Sequence, residues 1–264
     1  MISSLYEQNN YVINARFIKS VSIIEYDISK ANISILFQKG KISESEYQYL
    51  FRLPKQDREK YVGLMIRNNK DIYETIKSGI IEAKLHLFRE NNIQDNEVIR
   101  ISNDAVYVLR NTPLSYTKFG LIEFKEKNRF STFARLGDLS IFFKNELGEI
   151  DIDVKGLGND QMLLHADYML TFIGNLFYMI ENSPLTSVIE YFTNFYNRYL
   201  RRELDIEFYR ELNTDSLFVI RSPLGNDKFG LSQVNDISQI DITYNAGILR
   251  ELYSIISELH QRNI

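Results

Sequence analysis

The sequence predicts an α+β fold, an antiparallel sheet with helices packed on it, followed by a mostly helical region with a short hairpin. Three observations carry this expectation. Short apolar segments of strand character crowd together between residues 97 and 154, a helical periodicity fills residues 42–90, and two further helical segments follow a change of character near Gly156-Leu-Gly158. The 264 residues, 44% hydrophobic and 25% charged, provide enough chain for one compact domain or two closely packed ones.

Taken in chain order, Tyr11 to Phe17 and Ser20 to Tyr26 read as paired strands, and Ser29 to Gln38 turns helical just after Asp27. In the helical region Ile72, Ile76, Ile80 and Leu87 recur at three- to four-residue intervals, on a helix ending near Asn91-Asn92. Strands are expected over Glu97–Ser102, Ala105–Arg110, Leu121–Lys127, Arg129–Leu136, Leu139–Lys144 and Glu149–Val154, with Asn145-Glu-Leu-Gly148 as a hairpin turn. Gln161 to Asn182 and Leu185 to Glu203 read as helices separated by Ser183-Pro184, and Asn245 to Gln261 as a closing amphipathic helix. One internal similarity links Asp104-Ala-Val-Tyr-Val-Leu-Arg110 to Asp215-Ser-Leu-Phe-Val-Ile-Arg221, each followed by Pro-Leu and Lys-Phe-Gly-Leu; a hairpin used twice or coincidence accounts for it.

Composition excludes several classes of function. With no Cys there are no disulfides, thiolate zinc sites or cysteine nucleophiles, and His86, His165 and His260 are too scattered for a histidine metal cluster. No Gly-rich phosphate loop and no serine nucleophile elbow is present. The start of the chain has neither a basic region nor an apolar core, so no signal peptide is expected. The most apolar stretch, Met162 to Ile180, carries His165, Asp167 and Asn175 and reads as a buried helix rather than a membrane span. A soluble cytoplasmic protein without membrane contact is expected. The net charge of −4 opposes nucleic-acid binding by the molecule as a whole, though not by a local basic patch.

Two places carry candidate chemistry. The stretch Ser22 to Leu36 is an apolar strand that delivers Asp27 beside a helix start, a position suited to holding a metal near a phosphate. In Glu97 to Val108, two apolar strands meet across Ser102-Asn103-Asp104, and a charged Asp at the tip of a buried hairpin needs a partner or a metal ion.

These segments resemble motifs A and C of DNA polymerase palms, particularly the family B type of viruses and phages. Against D-x-x-S-L-Y-P-S-I-I, Asp27, Ser34 and Ile35 match, Asn32 stands at the sugar-gating Tyr and Ile33 at the Pro. Against Y-x-D-T-D-S-x-F-V, Asp104 takes the second Asp position and Ser102 the first. Lys127-Asn-Arg129-Phe130 is similar to the K-x-R-Y signature, and Lys155-Gly156 to the K-G element before the thumb. The resemblance covers roughly residues 11 to 205. It lacks a fingers motif, its best substitute being Lys55-Gln-Asp-Arg58-Glu-Lys60, and it lacks an exonuclease domain.

What the resemblance implies is a reduced palm over residues 1–157, with a short helical insertion at about 40–92, and a thumb-like region over 158–264. If active, such a protein is a template-directed nucleotidyltransferase using two Mg²⁺ about 3.5–4 Å apart, bridged by Asp27 and Asp104. Asn32, Lys55, Arg58 and Lys60 then face the nucleotide, and Lys125, Lys127, Arg129 and Lys155 track a DNA or RNA backbone. A partner chain completing the polymerase, and a host-cytoplasm location for a viral protein, are further implications. Asp215, in Asn213-Thr-Asp215-Ser-Leu-Phe-Val219, is the reserve metal residue.

Each residue also has a plainer reading. Asp27 suits a helix N-cap, and Asp104 an ordinary turn. The alternating Lys125, Lys127 and Arg129 suit a guarded sheet edge, and the basic residues between 51 and 70 a solvated helix face. Two other functions therefore stay open: a non-catalytic, polymerase-derived subunit that binds nucleic acid or protein, and an unrelated α+β structural protein.

Overall fold

The structure is a computed structural model describing residues 8, 10–137, 139–146, 149–156, 168–204, 211–212, 218–222, 225–229 and 243–262. The fold is α+β, and the chain divides into two compact units. The first comprises Met1–Asn14 and Val21–Arg129, the second Ala15–Ser20 and Phe130–Ile264.

The first unit is built on a six-stranded sheet of β1 (Tyr11–Val12), β3 (Ile23–Ile28), β4 (Val98–Ser102), β5 (Ala105–Leu109), β6 (Lys118–Phe119) and β7 (Ile122–Phe130). Its order is β1-β4-β5-β3-β7-β6. β3 runs antiparallel to β5, with Glu25 opposite Tyr107 and Asp27 opposite Ala105, while β4 and β5 form a tight hairpin with Ser102 opposite Ala105. Among its described residues this unit has four α-helices: α1 (Ala31–Gln38), α2 (Glu44–Arg52), α3 (Lys55–Asn68) and α4 (Lys70–Glu90). The strand alternation assigns the faces. Ile24, Tyr26, Ile28, Val106, Val108, Ile122 and Phe124 join one core with Ile33 and Leu36 of α1 and Ile72, Ile76, Ile80 and Leu87 of α4. Glu25, Asp27, Tyr107, Lys125 and Lys127 alternate with these positions, on the other face.

Local chemistry starts and stops the helices. Ser43 accepts from the Glu46 N–H at 3.3 Å while Glu46 accepts from the Ser43 N–H at 2.9 Å, closing a capping box at the head of α2. Pro54 precedes the first residue of α3, where its missing N–H costs nothing. Asn91 ends α4 and fastens it to the loop beyond β5. Its amide donates to the carbonyls of Leu87 at 2.8 Å and Tyr116 at 2.6 Å, and accepts from the N–H groups of Ser115 and Tyr116 at 3.0 Å. Gly79 lets α4 lie close on α1, since a Cβ there would stand 2.3 Å from Cγ2 of Ile35.

The second unit has a four-stranded antiparallel sheet ordered β10-β9-β8-β2, from β2 (Phe17–Ile18), β8 (Thr132–Leu136), β9 (Leu139–Glu146) and β10 (Glu149–Lys155). Its core joins Ala134, Ile141, Phe143 and Val154 to three helices, α5 (Tyr168–Asn182), α6 (Leu185–Leu200) and α7 (Thr243–Arg262). The hydroxyls of Ser131, at 2.7 Å, and Thr132 both donate to the Glu181 carboxylate, tying β8 to α5. A small sheet of β11 (Glu211–Leu212), β12 (Phe218–Ser222) and β13 (Gly225–Phe229) completes it.

Several sequence expectations change. Residues 11–17 and 20–26 do not pair with each other: β1 pairs with β4, β2 with β8 and β3 with β5. The boundary falls after Arg129 rather than after 157, because β8–β10 share a core with α5–α7. The described part of residues 158–264 is mostly helical with a short hairpin, as expected, but it shares its unit with the sheet β10-β9-β8-β2. The similarity between the Asp104 and Asp215 segments is not one hairpin used twice. β12 and β13 pair directly, whereas β5 and β6 are separated in their sheet by β3 and β7. Residues 147–148 of the expected turn and the first part of the expected 161–182 helix lie outside the described residues.

Candidate functional site

Asp27 is the last residue but one of β3 and Asp104 occupies the β4–β5 turn, and the sheet register brings them together. One pair past Asp27 and Ala105, the Ile28 N–H donates to the Asp104 carbonyl at 2.9 Å. The capping reading of Asp27 does not hold, because α1 is preceded by Lys30, in the left-handed region at φ 56°, with no side-chain cap. Lys30 is held in this costly conformation by its ammonium, which donates to the Phe51 carbonyl at 2.9 Å and lies 3.1 Å from the centre of the Phe51 ring.

A cavity of about 250 Å³ opens here, lined by Asp27, Asp104, Ser29 to Ile33 at the start of α1, and Lys55, Arg58, Glu59 and Val62 of α3. Asn32, Lys55 and Arg58 thus all reach the same space as the two carboxylates. Lys60 does not line it; exposed on α3, it lies 3.9 Å from Asp57. Lys30 was not singled out from the sequence. Burial lowers its pKa first, and the charges of Arg58 and Lys125 add to the effect, so these three cations share one neighbourhood.

Behind Asp27 lies a carboxylate that sequence reading passed over. Glu25, 1% exposed, accepts from the Tyr107 hydroxyl at 2.8 Å and from the Asn128 amide at 2.6 Å. The Lys127 ammonium stands 3.6 Å from Glu25 and 3.9 Å from Asp27. Burial raises the Asp27 pKa above the ordinary carboxylate range. Asp104 and Glu25 push it the same way, while Lys127 and Lys55 oppose them.

The second unforeseen group is Lys84, fully buried on α4, whose ammonium donates to the carbonyls of Gln8 and Asn103 at 3.3 Å. Burial pushes it down to about 8 against the upward pull of Asp104. A signal existed: Lys84 extends the apolar stripe Ile72, Ile76, Ile80 by one more turn, where a solvated lysine does not belong.

The basic strip on β7 is less free than its sequence suggests. Lys125 lies 3.8 Å from Glu123, and Arg129 pairs with Glu126 at 2.6 Å. Lys155 belongs to the second unit, 3.0 Å from Asp153, and Asp215 lies outside the described residues.

Among the described residues, no three or more His, Asp and Glu side chains gather as a metal-binding group. What the cavity offers a divalent ion is chiefly the pair Asp27 and Asp104, since both oxygens of the adjacent Glu25 already accept hydrogen bonds and Glu59, also on the cavity, pairs with Lys55 at 3.7 Å. That pair fits a cation: both carboxylates line one cavity, and an ion between them would offset the charge of Asp104 that adds to the burial raising Asp27.

The geometry thus belongs to an α+β protein that sets two carboxylates and several cations around one cavity. The chain belongs to the family described as bacteriophage PBS1 gene 130 protein, a phage family, which it matches over residues 1–256. No curated protein matches it. No helix among the described residues is long and apolar enough to cross a membrane.

Proposed function

We propose that this protein acts on nucleic acid in the host cytoplasm as a reduced, polymerase-like nucleotidyltransferase. The observation that carries this reading is the convergence of Asp27 and Asp104 on a cavity also lined by Lys55, Arg58 and the first turn of α1. Asp27 and Asp104 would hold Mg²⁺. Bound there, it would acidify an attacking 3′-hydroxyl and neutralise the leaving pyrophosphate. Lys55 and Arg58 attract the phosphate tail of a nucleotide, helped by the helix start. Asn32, in place of an aromatic gate, leaves the sugar less restricted. Lys125, Lys127 and Arg129 lie along one strand at the spacing of a backbone-tracking strip, with Lys155 a further candidate contact.

A second reading, a non-catalytic nucleic-acid- or protein-binding subunit, is favoured by one observation. Ser102 fills the first acidic position of the hairpin, leaving only two carboxylates on the cavity besides Glu59. Calorimetric titration with Mn²⁺, followed by primer extension, separates the two. Ion binding lost in Asp27→Ala and in Asp104→Ala, together with extension by the wild type, supports the enzyme. Absence of binding by a folded wild type overturns it in favour of the second reading.

A further inference from the structure

Lys127 is chemically out of place for a residue whose only task is to track phosphates. Its side chain is 52% exposed, yet its ammonium turns back over the sheet to within 4 Å of two carboxylates, one fully enclosed. Glu25 cannot leave this arrangement, since Tyr107 and Asn128 hold both of its oxygens from within the sheet. Asp27 sits two residues further along β3, on the same face. Lys127 therefore bridges a fixed acid and a candidate metal ligand.

The charges nearby limit what else can enter. A site for two divalent ions adds four positive charges, for which this neighbourhood supplies Glu25, Asp27, Asp104 and Glu59. Three ammonium groups already draw on those acids: Lys127 on Glu25 and Asp27, the buried Lys84 on Asp104, and Lys55 on Glu59 and, from farther off, on Asp27. A second ion beside Asp27 would have to displace Lys127 or tolerate it at contact distance, a strong repulsion in a partly desolvated setting. On the cavity side of Asp27 the cations are Lys55, which pairs with Glu59 at 3.7 Å, and Arg58, which donates to the Leu53 carbonyl at 3.3 Å, so neither is committed to Asp27 as Lys127 is.

From this we infer that the Asp27–Asp104 site takes one divalent ion, with the Lys127 ammonium as a built-in cation where a second ion would otherwise sit. The inference rests on the proposed metal role of these two carboxylates and narrows it. Lys127 is then a positioning residue: it holds Asp27 against Glu25 and presents the other Asp27 oxygen to the ion.

The test is calorimetric titration of the full chain with Mn²⁺, counting ions bound, on wild type, Lys127→Met and Lys127→Arg. The wild type is expected to bind one ion. Lys127→Met, with the competing charge gone, is expected to bind a second ion or to hold the first about tenfold more tightly. Lys127→Arg keeps the charge and should behave as the wild type. Lys118→Met, removing a lysine that pairs with Glu123 instead, controls for net charge and should also leave the titration unchanged. Should Lys127→Met fail to fold, Lys127→Gln replaces it, its amide still able to donate to Glu25. Two ions on the wild type, or a Lys127→Met titration identical to wild type, would overturn the inference and leave the metal role of Asp27 and Asp104 standing. No ion on any of these proteins would overturn both.

Discussion

The backbone N–H of Ile28 donates to the backbone carbonyl of Asp104 at 2.9 Å, so the two candidate ligands are spaced by the main chain. The bond extends the β3–β5 ladder by one step beyond Asp27 and Ala105. Either carboxylate can therefore be replaced without removing the contact that holds the two segments together, which makes substitutions there clean probes of charge.

Asp27→Asn should stabilise the protein. The folded state raises the Asp27 pKa above its unfolded value, so ionising it opposes folding. That penalty is fully present above the folded-state pKa and vanishes as pH falls to the unfolded value. Screening at this partly exposed group reduces it to about 0.5 kcal/mol, a rise of about 1–3 °C in thermal midpoint. Melts at pH 7 should show the gain, and melts near pH 4 should show it largely gone. Unchanged midpoints at both pH values would contradict a raised Asp27 pKa, whose first cause is burial and whose second is Asp104.

Lys84 gives the opposite pH signature. Its folded-state value, about 8, lies below the ordinary 10.5, so the fold resists the charge it carries at neutral pH. Wild-type stability should rise as pH climbs from about 8 towards 10.5, where the unfolded chain binds the extra proton. Lys84→Met removes that slope. Its advantage over wild type, at most about 3 kcal/mol at pH 7, should shrink across the same interval in urea denaturation. A constant difference would mean that Lys84 titrates normally.

Asn91→Ala removes four hydrogen bonds at once from the end of α4. Some of the freed backbone groups belong to exposed residues and regain water, so the expected cost is about 2 kcal/mol. Urea midpoints measure it; a loss below about 0.5 kcal/mol would show that water replaces the amide fully.

Gly79→Ala should destabilise by about 1–3 kcal/mol by driving a methyl group into Ile35. Because Ile35 lies on the helix that follows Asp27, the strain should be relieved in the double variant with Ile35→Ala. A double-mutant cycle tests this, with strict additivity as the contrary result.

The parts of the site that follow strand and helix patterning were legible in the sequence. Asp27 at a strand end and Asp104 at a hairpin tip lie where alternation and turn chemistry put them, and Asn32, Lys55 and Arg58 share their cavity. What depends on pairing between distant strands was not legible. Glu25 looks like one charge in an apolar strand until Tyr107 of β5 and Asn128 of β7 are laid beside it. Lys127 reads as a free cation until β7 is known to neighbour β3. Lys60 has the same composition context as Lys55, but α3 turns it away from the cavity. The misplaced unit boundary has a similar origin. Phe17 and Ile18 find their partners in Ala134 and Phe133, a pairing no local pattern announces.

That pairing bears on how the protein is made. β2 leaves the ribosome roughly a hundred residues before β8, with most strands and all four helices of the first unit between them. During translation the segment 15–20 must wait, tethered at both ends to a unit that can already fold. A gene fragment beginning after residue 20 would encode every described helix of the second unit yet leave β8 as a bare sheet edge, open to pairing with other chains. Because the units interleave, a single cut anywhere in this chain severs one of them.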